Sequence, residues 1–357
     1  MSAAAVGPLV LVTGGAGFVG CNVAADALSR GRRVRLLDDL SRPGVEDNVR
    51  WLRRCYGERV ELLTADLAET GRLAEALDGV EAVYHFAAQV AVTTSLARPD
   101  LDFRTNLQGT FHLLEAVRRS KAPPKLVFAS TNKVYGNLAA LPLEEHPRRY
   151  VSVVSPAIDE TQALDFHTPY GCSKGGAEQY VLDYARTFDL PATVLRMSCI
   201  YGPHQWGTEE QGWVAHFLIQ AQKGEPIHIY GDGKQVRDIL FVDDLVAAQR
   251  AAMEHMDRLR GRAWNIGGGL ANSVSLLEVL DLITEAIGRR PDVRFCPPRA
   301  GDQKYYVSDC SAFSAATGWQ ARVSPEEGVV RLARWLRKHR VPVAETENGR
   351  ERVVGGG

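Results

Sequence analysis

Two segments of the sequence carry side chains that together can take hydrogen from an alcohol. Tyr170 and Lys174 are four positions apart, and Thr131 ends an apolar run. If 170–174 is helical, the phenol and the ammonium lie on one face, because residues four apart are neighbours on a helix. We expect the ammonium to lower a tyrosine pKa that starts near about 10. Tyr170 is then a general base toward an alcohol whose hydride passes to a cofactor, with Thr131 bonded to the same oxygen.

A packed pair on a helix surface would show the same spacing, so this chemistry needs a cofactor-binding pattern elsewhere. Gly14, Gly17 and Gly20 follow an apolar stretch and open a helical one, as in the fingerprint that seats a dinucleotide pyrophosphate on a helix N-terminus. Asp38 ends the next apolar stretch, where a carboxylate binds ribose hydroxyls and repels a 2′-phosphate. The pattern favours NAD, although Arg42 leaves NADP open because arginine binds a 2′-phosphate.

The elements that must position these residues alternate along the first half of the chain. Apolar runs predict strands at 9–13, 34–38, 60–64, 82–86, 125–129 and 193–196, and amphipathic stretches predict helices at 19–29, 73–77, 107–119 and 175–188. Such alternation predicts an α/β fold, a Rossmann-like doubly wound parallel sheet with a smaller C-terminal α/β substrate domain. We assign 8–196 and 237–266 to the NAD-binding domain, 197–236 and 267–342 to the substrate domain, and 343–357 to a disordered tail.

Composition excludes several classes of protein. The 357 residues carry a formal net charge of −1, which gives no cationic excess for nucleic acid. No apolar run approaches the roughly 20 residues that span a bilayer, and the first residues lack a signal-peptide pattern. The six cysteines are scattered without metal-ligand spacing. We expect a cytoplasmic protein with reduced thiols, no metal site and no membrane partner.

With these motifs in order, the chain resembles the extended short-chain dehydrogenase/reductase family of nucleotide-sugar enzymes. The resemblance rests on the glycine loop, on Tyr170 and Lys174, on the strand end from Ser130 to Gly136, and on the stretch from Gln235 to Asp238. It implies tightly held NAD, a C-terminal domain that grips a nucleoside diphosphate sugar, and a homodimer. The dimer would form through a four-helix bundle made of 107–119 and 175–188 of each subunit.

The resemblance also implies roles for individual residues. Thr131, Tyr170 and Lys174 match the catalytic residues. The residues that match cofactor contacts are Gly14, Gly17, Phe18, Val19, Gly20, Asp38, Asp39, Ser41, Arg42, Asp66, Leu67, Ala87, Ala88, Gln89, Asn106, Ser130, Tyr170 and Lys174. The residues expected to bind substrate are Val90, Thr131, Asn132, Lys133, Cys199, Gln205, Trp213, Arg237 and Arg299.

The residues after Thr131 separate the chemistries of this family. Members that eliminate water resemble Thr-Asp-Glu here, and this chain has Asn132 and Lys133, which cannot replace the acid and the carboxylate base. In more detail the chain is similar to the branch of CDP-paratose (CDP-tyvelose) 2-epimerases. The resemblance implies oxidation of a CDP-hexose at C2 and return of the hydride to the opposite face. A UDP-sugar 4-epimerase and a non-catalytic NAD-binding regulator stay as alternatives.

Several positions leave more than one interpretation open. Arg237 and Arg299 match arginines that bind the pyrophosphate, but surface arginines are common in this chain. Cys199 stands near a position where many members have Asn, which puts that phosphate contact in question. His204, Gln205 and Trp206 are substrate contacts or a packed loop with an aromatic plug. His85 and His167 are expected to be structural, as are Asp243 and Asp244, which hold a loop or cap a helix.

Overall fold

The structure is a computed structural model that describes residues 7–299 and 302–339. The predicted tail at 343–357 lies outside the described residues. The strands are β1 Leu9–Thr13, β2 Arg33–Asp38, β3 Val60–Thr64, β4 Val80–His85, β5 Lys125–Thr131, β6 Leu143–Glu145, β7 Tyr150–Ser152, β8 Ala192–Met197, β9 Cys199–Tyr201, β10 Ile227–Tyr230, β11 Val236–Phe241, β12 Ala263–Ile266, β13 Ser273–Ser275, β14 Val293–Cys296 and β15 Tyr305–Tyr306.

The helices lie between these strands. They are α1 Phe18–Ser29, α2 Val45–Tyr56, α3 Leu73–Leu77, α4 Val92–Ala97, α5 Pro99–Asp102, α6 Gly109–Arg118, α7 Thr168–Thr187, α8 Trp213–Lys223, α9 Val242–Glu254, α10 Met256–Leu259, α11 Leu276–Ile287, α12 Ser311–Thr317 and α13 Pro325–Lys338. A π-helical turn, Phe103–Gln108, joins α5 to α6, and short 3₁₀ turns occur at Gly57–Arg59, Thr70–Arg72, Asn132–Tyr135 and Leu270–Asn272.

The central sheet of the described chain has seven parallel strands in the order β12-β8-β5-β4-β1-β2-β3. Its inner strands are mainly apolar because helices cover both faces, and all five residues of β1 are buried. One face packs against α1, α2 and α9, and the other against α3, α6 and α7. The predicted Rossmann-like fold class is confirmed.

The strand order reverses at β1, which lies between β2 and β4. The chain passes from β1 to β2 and β3 on one side, and then crosses to β4 and β5 on the other. Because the two connections leave the sheet in opposite directions, a crevice opens beyond the carboxyl ends of β1 and β4. This crevice is where a doubly wound fold binds its ligands.

The second part of the chain builds smaller sheets beside this crevice. Strand β11 pairs with β13, β15 and β9, and β10 pairs with β14, while α8, α11 and α13 pack against them. Strand β12 returns to the central sheet beside β8. The division into two domains stays a proposal. Strand β11, most of which the sequence assigned to the NAD-binding domain, pairs with β9, β13 and β15.

Several predicted elements differ at their ends from the observed ones. Strand β4 spans Val80–His85 rather than 82–86, and β5 extends to Thr131. The helix expected at 107–119 is preceded by α5 and the π turn, and α7 starts at Thr168 rather than 175. No helix in the described ranges is long and apolar enough to cross a membrane.

Candidate active site

A cleft of about 780 Å³ occupies the crevice at the carboxyl ends of the central strands. Its floor is formed by the glycine loop and the ends of β4, β5 and β8. The loop between β9 and α8 covers it from the other side. The sequence-predicted residues in its wall are Gly14, Gly17, Phe18, Val19, Gly20, Asp38, Asp39, Ser41, Arg42, Asp66, Leu67, Ala87, Ala88, Gln89, Val90, Ser130, Thr131, Asn132, Lys133, Tyr170, Lys174, Cys199, Gln205 and Trp213.

The glycine loop fits a dinucleotide pyrophosphate by its backbone alone. Gly14 has a φ of +64°, and a Cβ there would lie 2.7 Å from the Ala87 amide nitrogen. A Cβ on Gly20 would overlap the Gly14 carbonyl oxygen. Helix α1 begins after Gly17 with no described side chain bonded to its first amides and no acidic residue in its first turn. Its N-terminal donors and dipole are therefore directed at the cleft, as anion binding requires.

Asp38 stands at the end of β2 beside this loop. Its carboxylate accepts hydrogen bonds from the Ala16 amide at 3.0 Å and the Leu40 amide at 2.9 Å. Burial raises the pKa of Asp38, and the two amides lower it. Arg42 donates to the Gln211 side chain, across the cleft mouth. The acidic side chain is thus fixed where ribose hydroxyls would bind, while the guanidinium is engaged with the opposite wall.

The three residues expected to carry the chemistry meet at the other end of the cleft. Thr131 ends β5, and its hydroxyl accepts from the Lys133 amide at 3.2 Å. Tyr170 lies in the first turn of α7 and Lys174 one turn later, both buried. The Lys174 ammonium lies 4.2 Å from the centre of the Phe128 ring. Two elements of the central fold, a strand end and a helix start, therefore hold these side chains together.

The electrostatics of this group differ from the sequence-based expectation. Burial raises the pKa of Tyr170 to about 12, with the Thr131 hydroxyl lowering it and the Asp102 charge raising it further. Burial lowers the pKa of Lys174 to about 7, although Glu178 and Asp102 raise it. The expected fall in the Tyr170 pKa is therefore not found, because both groups lose hydration and each favours its neutral form.

A layer of polar side chains behind the cleft supports these residues, and the sequence analysis missed most of it. Asn106, predicted as a cofactor contact, is buried behind the wall. Its side chain bonds to the Gln89 backbone at 2.8 and 2.9 Å and donates to the Ser173 hydroxyl at 3.0 Å. Ser173 in turn donates to Asp102. Asn106 thus holds the segment after β4 that contains Gln89.

Glu178 belongs to the same layer. It lies one turn after Lys174 on α7, accepts from the Ser130 hydroxyl at 2.6 Å, and pairs with Arg196 of β8. Arg196 also donates to the Tyr135 hydroxyl at 2.8 Å. The spacing of Tyr170, Lys174 and Glu178, four residues each, is the sequence signal that could have identified Glu178.

Two predicted pyrophosphate ligands, Arg237 and Arg299, are not among the described residues of the cleft wall. Arg237 is buried and donates to the Asp302 carboxylate at 2.7 Å. Arg299 lies over the Tyr230 ring at 3.8 Å and pairs with Glu209 at 3.3 Å. Both charges are engaged with carboxylates in this structure, so their role toward a phosphate stays a prediction.

The loop that covers the cleft contains His204, Gln205 and Trp206, for which the sequence left open either substrate contact or a packed aromatic plug. The structure shows a different arrangement for the two aromatic residues and for the glutamine. His204 has a φ of +70° and its ring lies 3.9 Å from that of Trp51, and the Trp206 ring lies 4.9 Å from Trp335. These two residues form an aromatic plug. Gln205 instead lines the cleft, with its amide donating to the Ile200 carbonyl at 3.1 Å.

The remaining predicted residues have structural partners. His85 is buried between the Thr13 and Thr110 hydroxyls, and Asp244 accepts from the backbone amides of Arg322 and Val323. His167 faces Asp165 at 2.9 Å, and Asp243 pairs with Arg331. In the described ranges all six cysteines are free, and no cluster of His, Cys, Asp and Glu is arranged to hold a metal ion.

Comparisons with known proteins identify the family to which this chain belongs. Residues 10–267 match the model of the NAD dependent epimerase/dehydratase family. The chain is 40% identical over 336 residues to the CDP-paratose 2-epimerase of Salmonella typhi, covering 91% of this chain and 98% of that protein.

Two solved structures are also similar. The UDP-glucose 4-epimerase of Thermus thermophilus, solved as a complex with NAD, has a TM-score of 0.79 and 33% identity, with 93% of this chain and 99% of that chain covered. The UDP-glucose 4-epimerase of Thermotoga maritima, solved with UDP-glucose, has a TM-score of 0.80 and 32% identity, with 92% and 99% covered.

Proposed function

The chain belongs to the NAD dependent epimerase/dehydratase family, and from this premise we propose that it inverts C2 of a CDP-hexose by transient oxidation to a keto sugar. The observation that carries the proposal is the convergence of Thr131, Tyr170 and Lys174 with the glycine loop in one cleft. The likeness to the CDP-paratose 2-epimerase of Salmonella typhi supports the choice of nucleotide and carbon.

Asn132 and Lys133 support epimerisation over elimination. Both follow Thr131 in the wall of the cleft, where an eliminating enzyme of this family would need an acid and a carboxylate base. An amide supplies no proton at neutral pH. Burial, together with the nearby Arg237, lowers the pKa of Lys133 to about 8, so its head group is a hydrogen-bond donor over the neutral range.

Tyr170 and Thr131 would act on the same substrate oxygen. NAD, when bound, supplies the hydride acceptor and the positive charge of its nicotinamide ring. Thr131 orients the alcohol, and the Tyr170 oxygen receives its proton and returns it when the opposite face has been reduced. Lys174 lies one turn from Tyr170, and its ammonium charge would stabilise the phenolate that this step requires, against the burial that raises the pKa of Tyr170. Asp38 supports NAD over NADP, because a partly buried carboxylate at the end of β2 repels a 2′-phosphate.

The proposal extends to the way the protein is assembled. Large apolar side chains are exposed along the π turn, α6 and α7: Phe103, Phe111, Tyr180 and Phe188. A surface of this kind is typical of a protein interface. We therefore infer a homodimer in which these helices of two subunits form a four-helix bundle. A cytoplasmic location, expected from the sequence, stays a prediction.

The activity is tested by incubating the purified protein with CDP-, UDP-, GDP- and dTDP-hexoses and following the products by NMR. We expect inversion at C2 of a CDP-hexose. Exclusive inversion at C4 of a UDP-hexose would establish the alternative seen in the solved 4-epimerases. Absence of turnover with every nucleotide sugar, with NAD bound, would favour the non-catalytic regulator.

The mechanism is tested by Tyr170→Phe, which removes one hydroxyl. We expect turnover to fall by at least about 10²-fold, the usual contribution of a general base, with the NAD content unchanged. Tyr180→Phe is the matched control, because it removes a hydroxyl from an exposed tyrosine of the same helix. Equal turnover of Tyr170→Phe and the unaltered protein would reject the assigned base.

A further inference from the structure

A glutamine from the second unit lies directly behind the reacting end of the cleft. Gln303 is 1% exposed and precedes β15. Its side-chain oxygen is 3.5 Å from both the Asn132 amide nitrogen and the Lys133 ammonium. Its side-chain nitrogen donates to the Gly136 carbonyl at 2.6 Å. One amide thus contacts three residues of the segment that follows Thr131.

Both the oxygen and the nitrogen of the Gln303 side-chain amide have hydrogen-bond partners, so a residue without an amide cannot make all of these contacts. The oxygen accepts from two donors with its two lone pairs, and the nitrogen serves a carbonyl. A leucine of similar size would leave the Gly136 carbonyl, the Asn132 amide and the Lys133 ammonium without this partner. A glutamate would keep an acceptor for Lys133 but lose the donor to Gly136.

The backbone around Gln303 is itself fixed. Arg237 donates to the Gln303 carbonyl oxygen and to the neighbouring Asp302 carboxylate, and is buried. The Gly136 backbone has a φ of +71°, and a Cβ there would lie 2.8 Å from the Asp165 carboxylate, so this turn packs closely against Asp165. Gln303 therefore links the segment before β15 to the residues that follow β5.

Asn132 and Lys133 line the cleft next to Thr131, whereas Gln303 is not among the described residues of its wall. We propose, resting on the function proposed above, that Gln303 is a positioning residue that holds Lys133 and Asn132 so that they bind a sugar hydroxyl beside the one that Thr131 holds. The substrate then meets a fixed pair of donors rather than a flexible lysine. Positioning of this kind matters because a displacement of about 1 Å can cost about 10²-fold in rate.

The test compares Gln303→Leu and Gln303→Glu with the unaltered holoenzyme and with Gln222→Leu. Gln222 is a matched control because its amide also donates to a backbone carbonyl, that of Ala333, away from the cleft. For Gln303→Leu we expect kcat/KM for the CDP-hexose to fall about 10- to 100-fold. The affinity of the holoenzyme for CDP, measured by calorimetry, should stay within about twofold, because Lys133 contacts the sugar.

Gln303→Glu gives a readout that a purely structural role would not move. The new carboxylate would face Lys133 together with Arg237, Asp302 and Cys199, the groups that already act on the pKa of Lys133. An added negative charge keeps the ammonium protonated to higher pH. We expect the basic limb of the kcat/KM profile to move to higher pH in this variant, and not in Gln222→Leu.

The outcomes separate this inference from the proposed function. The inference about Gln303 is overturned if kcat/KM is unchanged in Gln303→Leu. It is also overturned if the affinity for CDP falls as much as kcat/KM does. In both cases the unaltered enzyme still turns over a CDP-hexose. If Gln303→Leu loses its bound NAD or its fold, the pH profile of Gln303→Glu decides, and an unshifted limb overturns the inference. Failure of the proposed function itself shows earlier, as no CDP-hexose turnover by the unaltered protein.

Discussion

Glu178 and Arg196 form an ion pair that is almost completely buried behind the catalytic end of the cleft. Their side chains are 0% and 6% exposed, and the Arg196 Nε lies 3.0 Å from a carboxylate oxygen. The pair joins α7, which carries Tyr170 and Lys174, to β8 of the central sheet. Glu178 also accepts a hydrogen bond from the Ser130 hydroxyl of β5. The helix that carries the proposed base is thereby fixed to the sheet that carries Thr131.

Glu178→Gln is expected to lower the free energy of unfolding by about 3–5 kcal/mol, because it leaves the Arg196 charge buried without its counter-ion. Denaturant unfolding measures the change. Asp281→Asn is the control: Asp281 pairs with Arg148 where both side chains are about half exposed, and its loss should cost less than about 1 kcal/mol. Equal losses in the two variants would show that burial of the Glu178 pair is not what stabilises it.

Stability should fall as the pH drops from about 6.5 toward 4.5. Burial lowers the pKa of His85 to about 3 and that of His204 to about 4, so the folded protein keeps both rings neutral in this range. In the unfolded chain both histidines have a pKa near about 6.5 and bind protons in this range. Each pH unit below that value therefore lowers the free energy of unfolding by up to about 1.4 kcal/mol per histidine.

His204→Asn should reduce this pH dependence, measured as the free energy of unfolding at several pH values. The partner of His204, Asn48, lies 3.0 Å away, and its loss will also lower stability at pH 7. The quantity to compare is therefore the change in the free energy of unfolding per pH unit, and not the free energy at pH 7. His146→Asn replaces an exposed histidine and should keep the slope of the unaltered protein, whereas identical slopes in all three proteins would contradict the role of His204.

Gly20→Ala should displace the glycine loop and release NAD. The added methyl group would overlap the Gly14 carbonyl oxygen, which is backbone and cannot rotate away. We expect the NAD content of the purified protein to fall severalfold and its melting temperature to drop. Gly71→Ala is the control, since its added Cβ has no described atom within 4 Å. Full NAD occupancy in Gly20→Ala would mean that the loop can shift without affecting its ligand.

Phe111→Glu should dissociate the proposed dimer. The Phe111 and Tyr180 rings of α6 and α7 are in edge-on contact with centroids 5.8 Å apart, and both are exposed on the surface inferred to pair. A charge there would need to be buried without a partner. Light scattering coupled to gel filtration gives the mass. Phe295→Glu alters another exposed phenylalanine, on β14, and should leave the dimer intact; a monomer in both or in neither variant would reject this interface.

The sequence predicted most of the central sheet because helices cover both of its faces, so most of its strands are rich in apolar residues. It placed Tyr170 at the head of α7, close to the observed start at Thr168, but the helical pattern itself was recognised only from residue 175. Gly171, Gly175 and Gly176 weaken the helical pattern there, since glycine is a poor helix former. Gly175 is needed for packing, because a Cβ would overlap the Phe166 ring. Local pattern and tertiary packing disagree at that point, and packing determines the structure.

The cofactor side of the cleft was predictable because its residues lie in short, contiguous motifs. The support on the substrate side was not, since it depends on contacts between residues far apart in the chain. Arg237 pairs with Asp302, and Gln303 reaches Asn132 from 171 positions away. The charge state of Tyr170 was missed for a related reason: its spacing from Lys174 shows proximity, but only the folded structure shows how completely both are removed from water.

The path of the chain between the two groups of sheets limits how such an enzyme can change. The chain leaves the central sheet after β8, passes through β9 and β11, returns as β12 beside β8, and leaves again to β13. Each wall of the cleft is built from segments that lie far apart in the chain, so exchanging one segment alters only part of either wall. The stretch 203–213 lies between β9 and the start of α8, so its cleft-lining residues can be replaced without altering the interlaced strands.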